Sequence, residues 1–238
     1  MGVTEREEGG WTRRDALVAS AAAAGALWLA PARPASAKEA AAPQMPADFN
    51  PEQALGWLME GNRRFAAGRP QAPHRSLSRV RETAAEQKPF AAILACADSR
   101  VAPEILFDQG FGDLFVVRNA GNLATPGEIA SLEFGTLQLG ARVLLVLGHS
   151  GCGAVKAAIA GTQVPGQISA LFQYLRPAVR AGGGDLARSV AANVRSQADT
   201  LAESSPVLAG LVQQGRLQIA GGVYDLATGV VTPLSLAG

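Results

Sequence analysis

Short apolar runs alternate with longer segments of mixed polarity along most of the chain. The runs at 90–96, 114–118 and 143–147 have the length of strands and are almost wholly apolar, which is typical of strands buried on both faces of a sheet. A fourth strand is predicted at 217–223, and residues 229–231 are expected to close the sheet after a turn.

Helices are predicted between these strands. The first spans about 50–66, with Asn50 as its cap and Pro51 at its first position, and it ends before Gly68. Further helical stretches are predicted at about 76–87, 101–108, 126–140, 153–160, 167–180, 186–203 and 205–214. The predicted fold class is therefore α/β, with a central, mostly parallel β-sheet and helices on both faces.

The composition indicates a single domain with a sizeable core. Of the 238 residues, 48% are hydrophobic and 17% are charged. The formal net charge is +1 and no long basic or acidic block occurs. Nothing in the sequence therefore favours binding to nucleic acid or to an anionic membrane surface.

The first 37 residues have the pattern of an export signal. Arg13 and Arg14 precede an alanine-rich apolar run at 16–30, and residues 35–37 form a small-residue cleavage pattern. The paired arginines resemble a twin-arginine signal. An uncleaved membrane anchor or a disordered tail is the alternative, but the run is shorter than the ~20 residues that span a bilayer, so we expect a periplasmic or secreted protein without a stable membrane anchor. The expected segments are a removed signal at 1–37, a linker at 38–49 and a single domain at 50–238.

Residues able to bind a metal stand where two of the apolar runs end. Cys96 ends the first run, and His149 and Cys152 follow the run at 143–147. The carboxyl ends of parallel strands meet at one edge of a sheet, so these three side chains are expected to share one site. Two thiolates and an imidazole suit zinc best, and three protein ligands leave a fourth position open.

A Cys96–Cys152 disulfide is the alternative, since paired cysteines in an exported protein usually form one. A disulfide would need neither His149 close to Cys152 nor Asp98 and Arg100 close to Cys96. Twin-arginine export also carries proteins that are already folded, so zinc bound in the reducing cytoplasm would protect both thiolates. We therefore favour a zinc site.

Three motifs resemble those of the β-class carbonic anhydrases. They are C-A-D-S-R at 96–100, R-N-A-G-N at 118–122 and G-H-S-G-C-G at 148–153. The resemblance covers nearly all of the domain, and the motifs in this order are far more specific than any one of them. Weaker support comes from G-N-R-R-F at 61–65 and Q-K-P at 87–89.

The resemblance implies a zinc enzyme that hydrates carbon dioxide reversibly to bicarbonate and a proton. Cys96, His149 and Cys152 would hold one Zn²⁺ per chain, and a zinc-bound hydroxide would attack the carbon. Asp98 would accept a hydrogen bond from the zinc-bound oxygen, and Arg100 would keep Asp98 ionised and oriented. In the family this aspartate can also move onto the metal when its pair with the arginine breaks. An Asp–Arg pair that only fixes the turn is the alternative.

The resemblance also implies a small, dry substrate pocket. Some of its residues would reach across a subunit interface, so a homodimer or a dimer of dimers is expected. Apolar residues on more than one side of the first helix are compatible with packing against a second subunit or within the chain. Ordinary core packing is the alternative for the two phenylalanines of the pocket. The implied substrate-binding residues are Gln87, Phe115, Ala120, Phe134 and Gly153.

Two further expectations concern proton removal and regulation. His74 lies in a polar loop and is interpreted as a solvated histidine, so turnover is expected to depend on external buffer. Some family members bind bicarbonate at a regulatory pocket made by a tryptophan, an arginine and a tyrosine. Arg118 and Tyr224 match two of these, but Ile93 stands in the place of the tryptophan. We therefore expect a site with zinc-bound water at neutral pH.

Two rival functions remain open from the sequence. Relatives of this fold hydrolyse carbon disulfide or carbonyl sulfide with the same metal ligands, and tunnel shape rather than motif decides between these substrates and carbon dioxide. A non-enzymatic exported binding protein with a Cys96–Cys152 disulfide is the rival from another class. The thiol count and the zinc content would discriminate it from an enzyme.

Overall fold

The computed structural model describes residues 48–161 and 163–236. The predicted export signal at 1–37 lies outside the described residues, as does all of the predicted linker except its last two positions. Within the described part of the chain, no helix combines the length and the apolar character that crossing a membrane requires.

Within the described residues, five strands form one sheet in the order β2-β1-β3-β4-β5. Neighbouring strands from β2 to β4 are parallel, and β5 pairs antiparallel with β4. The predicted mostly parallel sheet is therefore confirmed. The strands are β1 (Ala91–Cys96), β2 (Leu114–Asn119), β3 (Val143–His149), β4 (Gln218–Tyr224) and β5 (Val231–Leu234).

The two central strands are buried along their whole length. Every residue of β1 and of β3 is buried, whereas β2, at one edge, is only partly covered. A strand covered on both faces has no position that favours a polar side chain, which explains the uninterrupted apolar runs in the sequence.

Helices connect and cover these strands. They are α1 (Pro51–Ala66), α2 (Leu77–Glu82), α3 (Pro103–Leu106), α4 (Pro126–Glu133), α5 (Gly153–Ala160), α6 (Phe172–Ala181), α7 (Leu186–Ser204) and α8 (Pro206–Gln213). A π-helical turn at Phe134–Gln138 follows α4, and a 3₁₀ turn at Gly166–Leu171 precedes α6.

Successive side chains of β1 and β3 pack on opposite faces of the sheet, where they join two separate buried clusters. Ile93 and Leu145 pack with α1 on one face, and Leu94 and Leu144 pack with α7 and α8 on the other. Helices thus cover both faces, as predicted. On the first face, α1 contributes Ala54 and Leu58, and Trp57 packs edge-on against Phe90 with ring centroids 5.6 Å apart, so α1 packs within its own chain.

Three helix predictions were too long. The helix predicted at 76–87 ends at Glu82, because α2 buries no residue and has no packed face to extend it. The stretch at 101–108 is helical only at Pro103–Leu106. The stretch at 126–140 changes to the π-helical turn at Phe134, where Gly135 lies against the Phe115 ring; a Cβ there would come within 2.6 Å of it.

Candidate metal centre

The ends of β1 and β3 bring Cys96, His149 and Cys152 together. Cys96 and His149 are the last residues of these neighbouring parallel strands, and Cys152 caps the start of α5. One donor atom from each residue lies within 4.8 Å of the other two. All three side chains are buried, and both cysteines are free. The structure therefore assembles the predicted triad and offers no support for the disulfide.

The His149 ring is oriented as a metal ligand would be. Its Nδ1 lies 3.0 Å from the carbonyl oxygen of Ser150, and a carbonyl only accepts, so the proton sits on Nδ1. In the neutral ring this leaves a lone pair on Nε2, which is buried and has no hydrogen-bond partner among the described residues. A buried acceptor without a partner is costly unless a metal engages it. With two thiols alongside, the donor set fits Zn²⁺.

The two thiols influence each other's protonation. The neighbouring Cys152 thiol lowers the pKa of Cys96, although burial of the Cys96 thiol opposes this shift. The Cys96 sulfur and burial raise the pKa of Cys152. A divalent ion that binds both sulfurs must therefore displace the proton of Cys152.

Asp98 and Arg100 form a bidentate ion pair beside the triad. Arg100 Nε lies 2.9 Å from Asp98 Oδ1 and Nη2 lies 2.8 Å from Oδ2, while the Arg100 backbone N–H also donates to Oδ1 at 3.0 Å. These bonds hold the pKa of Asp98 well below its usual range. Asp98 Oδ2 lies 3.9 Å from His149 Nε2, so an ionised carboxylate borders the nitrogen that faces the metal position.

Arg118 fixes the turn that carries Asp98. Its Nε donates to the carbonyl oxygen of Cys96 at 3.1 Å, and its Nη2 donates to that of Asp98 at 2.8 Å. The guanidinium is thus engaged with the backbone on both sides of the turn. Ile93, which stands in the place of the tryptophan of the regulatory pocket, is wholly buried in the core.

Comparison with known proteins agrees with this geometry. The family model described as carbonic anhydrase matches residues 91–231. A solved β-carbonic anhydrase of Aspergillus fumigatus shares 26% identity, covering 67% of this chain and 81% of that one, with a TM-score of 0.62. For the Coccomyxa β-carbonic anhydrase in complex with acetazolamide, the identity is 29%, the coverage 79% and 87%, and the TM-score 0.60. The chain belongs to the β-class carbonic anhydrase family.

A curated bacterial relative supports the same assignment at higher identity. Carbonic anhydrase 2 of Mycobacterium tuberculosis is 42% identical over 188 residues, which are 76% of this chain and 91% of that protein. The β-class carbonic anhydrases depend on zinc, and the triad of Cys96, His149 and Cys152 provides a group that could bind it.

The five residues predicted to bind substrate do not all reach the metal edge of the sheet. Ala120 directly follows β2 and Gly153 directly follows Cys152, so both lie at the carboxyl ends of the strands with the triad. Gln87 precedes β1 and lines a surface hollow with Phe111 and Gly112, at the opposite end. Within one chain Gln87 is therefore remote from the triad, and its predicted role would require a second subunit.

Phe115 and Phe134 pack against each other. Their ring centroids are 6.4 Å apart. Phe115 is partly buried against the core cluster that includes Leu132, whereas Phe134 is 50% exposed. Core packing thus describes Phe115, and it does not describe Phe134. A substrate contact by either ring stays a prediction.

The interpretation of His74 as a solvated side chain is wrong. His74 Nδ1 lies 2.8 and 2.9 Å from the two carboxylate oxygens of Asp113, whose side chain is fully buried and needs donors. Asp113 immediately precedes β2, whose six residues span about 17 Å to the metal edge of the sheet. His74 is therefore tied down at the amino end of the sheet, far from the triad.

Sequence reasoning missed the polar residues that hold the loop between β2 and α4. Asn193 and Gln197 on α7 are buried and bond to this loop, whose Gly121 N–H donates to Cys96 Sγ at 3.4 Å. The available signal was two amides spaced by four residues on the apolar side of a predicted helix.

Proposed function

We propose that the protein catalyses the reversible hydration of carbon dioxide to bicarbonate and a proton, with Zn²⁺ held by Cys96, His149 and Cys152. One observation carries the proposal: two thiols and an unpartnered, buried imidazole nitrogen converge at the ends of adjacent strands, beside an ionised carboxylate. Family membership supports the same activity.

Bound zinc would supply a Lewis acid that makes water a nucleophile near neutral pH. The negative charge of the two thiolates would weaken this Lewis acidity. The chain supplies the orientation. Asp98 Oδ2 would accept a hydrogen bond from the attacking water and so orient a lone pair of that water towards the carbon of carbon dioxide. Arg100 keeps Asp98 ionised and in place, and Arg118 keeps the turn in place.

Proton removal after each turnover is assigned to external buffer. His149 is committed to the metal, and His74 is paired with Asp113 at the other end of the sheet. We expect the turnover number to rise several-fold between dilute and concentrated imidazole buffer at constant ionic strength. A turnover number that does not change with buffer concentration would show an internal proton acceptor instead.

The test of the proposed reaction compares substrates on one preparation. Zinc-loaded protein is assayed by stopped flow for carbon dioxide hydration, and the same sample is assayed for sulfide release from carbonyl sulfide and carbon disulfide. We expect rapid hydration and little sulfide release. Rapid sulfide release with negligible hydration would assign the chain to the sulfide-releasing hydrolases of this fold. Cys152→Ser provides the control, because it removes one ligand and should abolish either activity.

We also propose a homodimer or a dimer of dimers. The support is the position of β2 at the edge of the sheet, together with the exposed apolar side chains Ile105 and Phe111, which line a hollow with Leu114 at the start of this strand. Sedimentation velocity at micromolar concentration is expected to give a dimer or tetramer, and a monomer would contradict this. An assembled enzyme could also bring the Gln87 of a partner subunit to the triad.

Export by a twin-arginine signal is a separate proposal. It rests on Arg13, Arg14 and the small residues at 35–37. Expression in a bacterium should yield periplasmic protein that begins after Ala37, as read by mass spectrometry. Replacing both arginines with lysine should retain the full-length chain in the cytoplasm. If the double variant were still exported and cleaved after Ala37, this would contradict a twin-arginine signal.

A further inference from the structure

Helix α7 carries a stripe of polar residues on its buried side. Ser189, Asn193 and Gln197 follow one another at intervals of four residues, so they lie one above the other on the helix. Asn193 is 1% exposed and Gln197 is 3% exposed. Buried amides are costly unless they are bonded, and their neighbours on this side of the helix are apolar. Their bonding partners therefore indicate why they are there.

Both amides bond to the loop between β2 and α4. Asn193 Nδ2 donates to the carbonyl oxygen of Gly121 at 2.8 Å, and the N–H of Ala124 donates to Gln197 Oε1 at 2.8 Å. Gln197 Nε2 also donates to Asn193 Oδ1 at 3.1 Å. The bonds to Gly121 and from Gln197 together set the orientation of the Asn193 amide, because a reversed amide would place its oxygen against the Gly121 carbonyl and its nitrogen against Gln197 Nε2.

Gly121 links this network to a metal ligand. Its carbonyl is held by Asn193, while its N–H donates to Cys96 Sγ at 3.4 Å. Its φ of 91° favours glycine, and a Cβ there would lie 3.4 to 3.6 Å from Ala154, Leu175 and Leu123, in ordinary contact. The direction of the Gly121 N–H therefore depends on how the loop is held. Helix α7 holds this loop through Asn193 and Gln197.

We propose that Asn193 and Gln197 are positioning residues for the metal centre, which aim the Gly121 N–H at the Cys96 sulfur. A hydrogen bond to a ligating thiolate withdraws charge from the sulfur and fixes its lone pairs, so it tunes the strength and geometry of the metal–sulfur bond. The inference rests on the assignment of Zn²⁺ to the triad made above. It adds that a helix without any metal ligand controls one of the ligands.

The test measures zinc retention and the metal–sulfur bond directly. Asn193→Leu removes the amide at nearly constant volume. Transfer of zinc from the loaded protein to a colorimetric chelator should be about 10-fold faster than for the wild type, as is typical when a group behind a metal ligand is lost. In cobalt-substituted protein, the thiolate-to-cobalt charge-transfer band should shift.

Two controls on the same helix separate positioning from general stability. Ser189→Ala alters the same stripe at a hydroxyl that is buried and has no hydrogen-bond partner in the described part of the chain. Leu201→Ala truncates an apolar core side chain that lies one turn beyond Gln197 and makes no hydrogen bond to the loop, and it destabilises the fold. Both should keep the wild-type cobalt spectrum and release zinc within twofold of the wild-type rate.

The inference would be overturned if Asn193→Leu released zinc at a rate within twofold of that of Leu201→Ala and also kept the wild-type cobalt spectrum. If Asn193→Leu is insoluble, Gln197→Met tests the same network one turn away, and wild-type release and spectrum there would overturn the inference equally. Wild-type protein that binds no zinc would overturn the proposed function as well. Zinc-loaded wild type with unaffected variants would overturn only the role of α7.

Discussion

At the scale of residues, the turn from Cys96 to Arg100 combines binding and orientation within five positions. Cys96 offers sulfur to the metal position, and Asp98 places a carboxylate oxygen 3.9 Å from His149 Nε2. Arg100 and Arg118 fix this turn through side-chain and backbone contacts respectively. Arg100 acts through the side chain of Asp98, and Arg118 acts through the backbone of the turn. Substituting either arginine should therefore change the position of the Asp98 carboxylate more than its charge.

Arg100→Gln should lower kcat/KM for carbon dioxide about 10- to 100-fold, by the same factor at every pH from 6.5 to 8.5. Arg100 lowers the pKa of Asp98, and its loss lets that pKa return towards the ordinary value of about 4. Asp98 therefore stays ionised across this range, and only its orientation suffers. Stopped-flow pH profiles of wild type, Arg100→Gln and Asp98→Asn provide the measurement. A deficit that vanishes at high pH would show that Arg100 controls protonation instead.

At the scale of elements, the G-N-R-R-F segment of α1 is explained by packing. Gly61 lies against the Phe107 carbonyl, where a Cβ would come within 1.8 Å of the oxygen. Asn62 donates to the carbonyls of Leu106 and Gly229 and accepts from the N–H of Val231, so it joins α1 to α3 and to β5. The segment thus fixes the first helix on the sheet and lies outside the metal centre.

Asn62→Leu should lower the free energy of unfolding by about 2–4 kcal/mol, because a buried N–H and two carbonyls lose their partner. Urea unfolding measures this loss, and Arg63→Ala, at the exposed neighbouring position, should stay within about 0.5 kcal/mol of the wild type. Activity per zinc-loaded molecule should not change. If Asn62→Leu left the free energy of unfolding unchanged, the backbone groups around α1 would have found other hydrogen-bond partners.

The strands could be predicted from sequence more reliably than the helix ends. A strand buried on both faces, such as β1 or β3, is apolar at every position, so the sequence alone reveals it. The end of α4 depends instead on Gly135 meeting the Phe115 ring, a contact between residues distant in sequence. Likewise the early end of α2 depends on the absence of any buried residue in that helix, which no local pattern reveals.

At the scale of the whole molecule, one buried carboxylate links the stability of the fold to pH. Asp108 is fully buried and accepts from Arg64 Nε at 2.7 Å and from the N–H groups of Gln71 and Ala72. Burial raises the pKa of Asp108, but these bonds outweigh burial and lower it overall. A carboxyl with a depressed pKa stabilises the fold above its ordinary pKa and loses that contribution as pH falls through its folded value.

Asp108→Asn should cost about 3 kcal/mol or more at pH 7, because Arg64 loses its buried partner. The wild type should lose stability below about pH 4 more steeply than this variant. Urea unfolding from pH 7 to pH 3 measures both slopes. Glu60→Gln is the matched control, since Glu60 is a mostly exposed partner of the same Arg64 at 3.7 Å and should contribute less than about 1 kcal/mol. Parallel slopes for wild type and Asp108→Asn would contradict the assignment.

The metal triad could be predicted because its members end apolar runs, where the sheet topology dictates that they meet. The network behind it could not, since Asn193 and Gln197 gain meaning only when Gly121 lies against α7. The pairing of His74 with Asp113 was hidden for the same reason: 39 positions separate them in the chain. Residues that act at strand ends are therefore visible in the sequence, and residues that act through a loop are not.

Titration of the thiols of the purified wild-type protein with a mercurial, in the presence of a zinc indicator, tests the metal centre most directly. We expect two thiols per chain, with one Zn²⁺ released as both react, because Cys96 and Cys152 hold the same ion. Two reactive thiols without zinc release, or no reactive thiol before reduction, would contradict the shared site and the activity that depends on it.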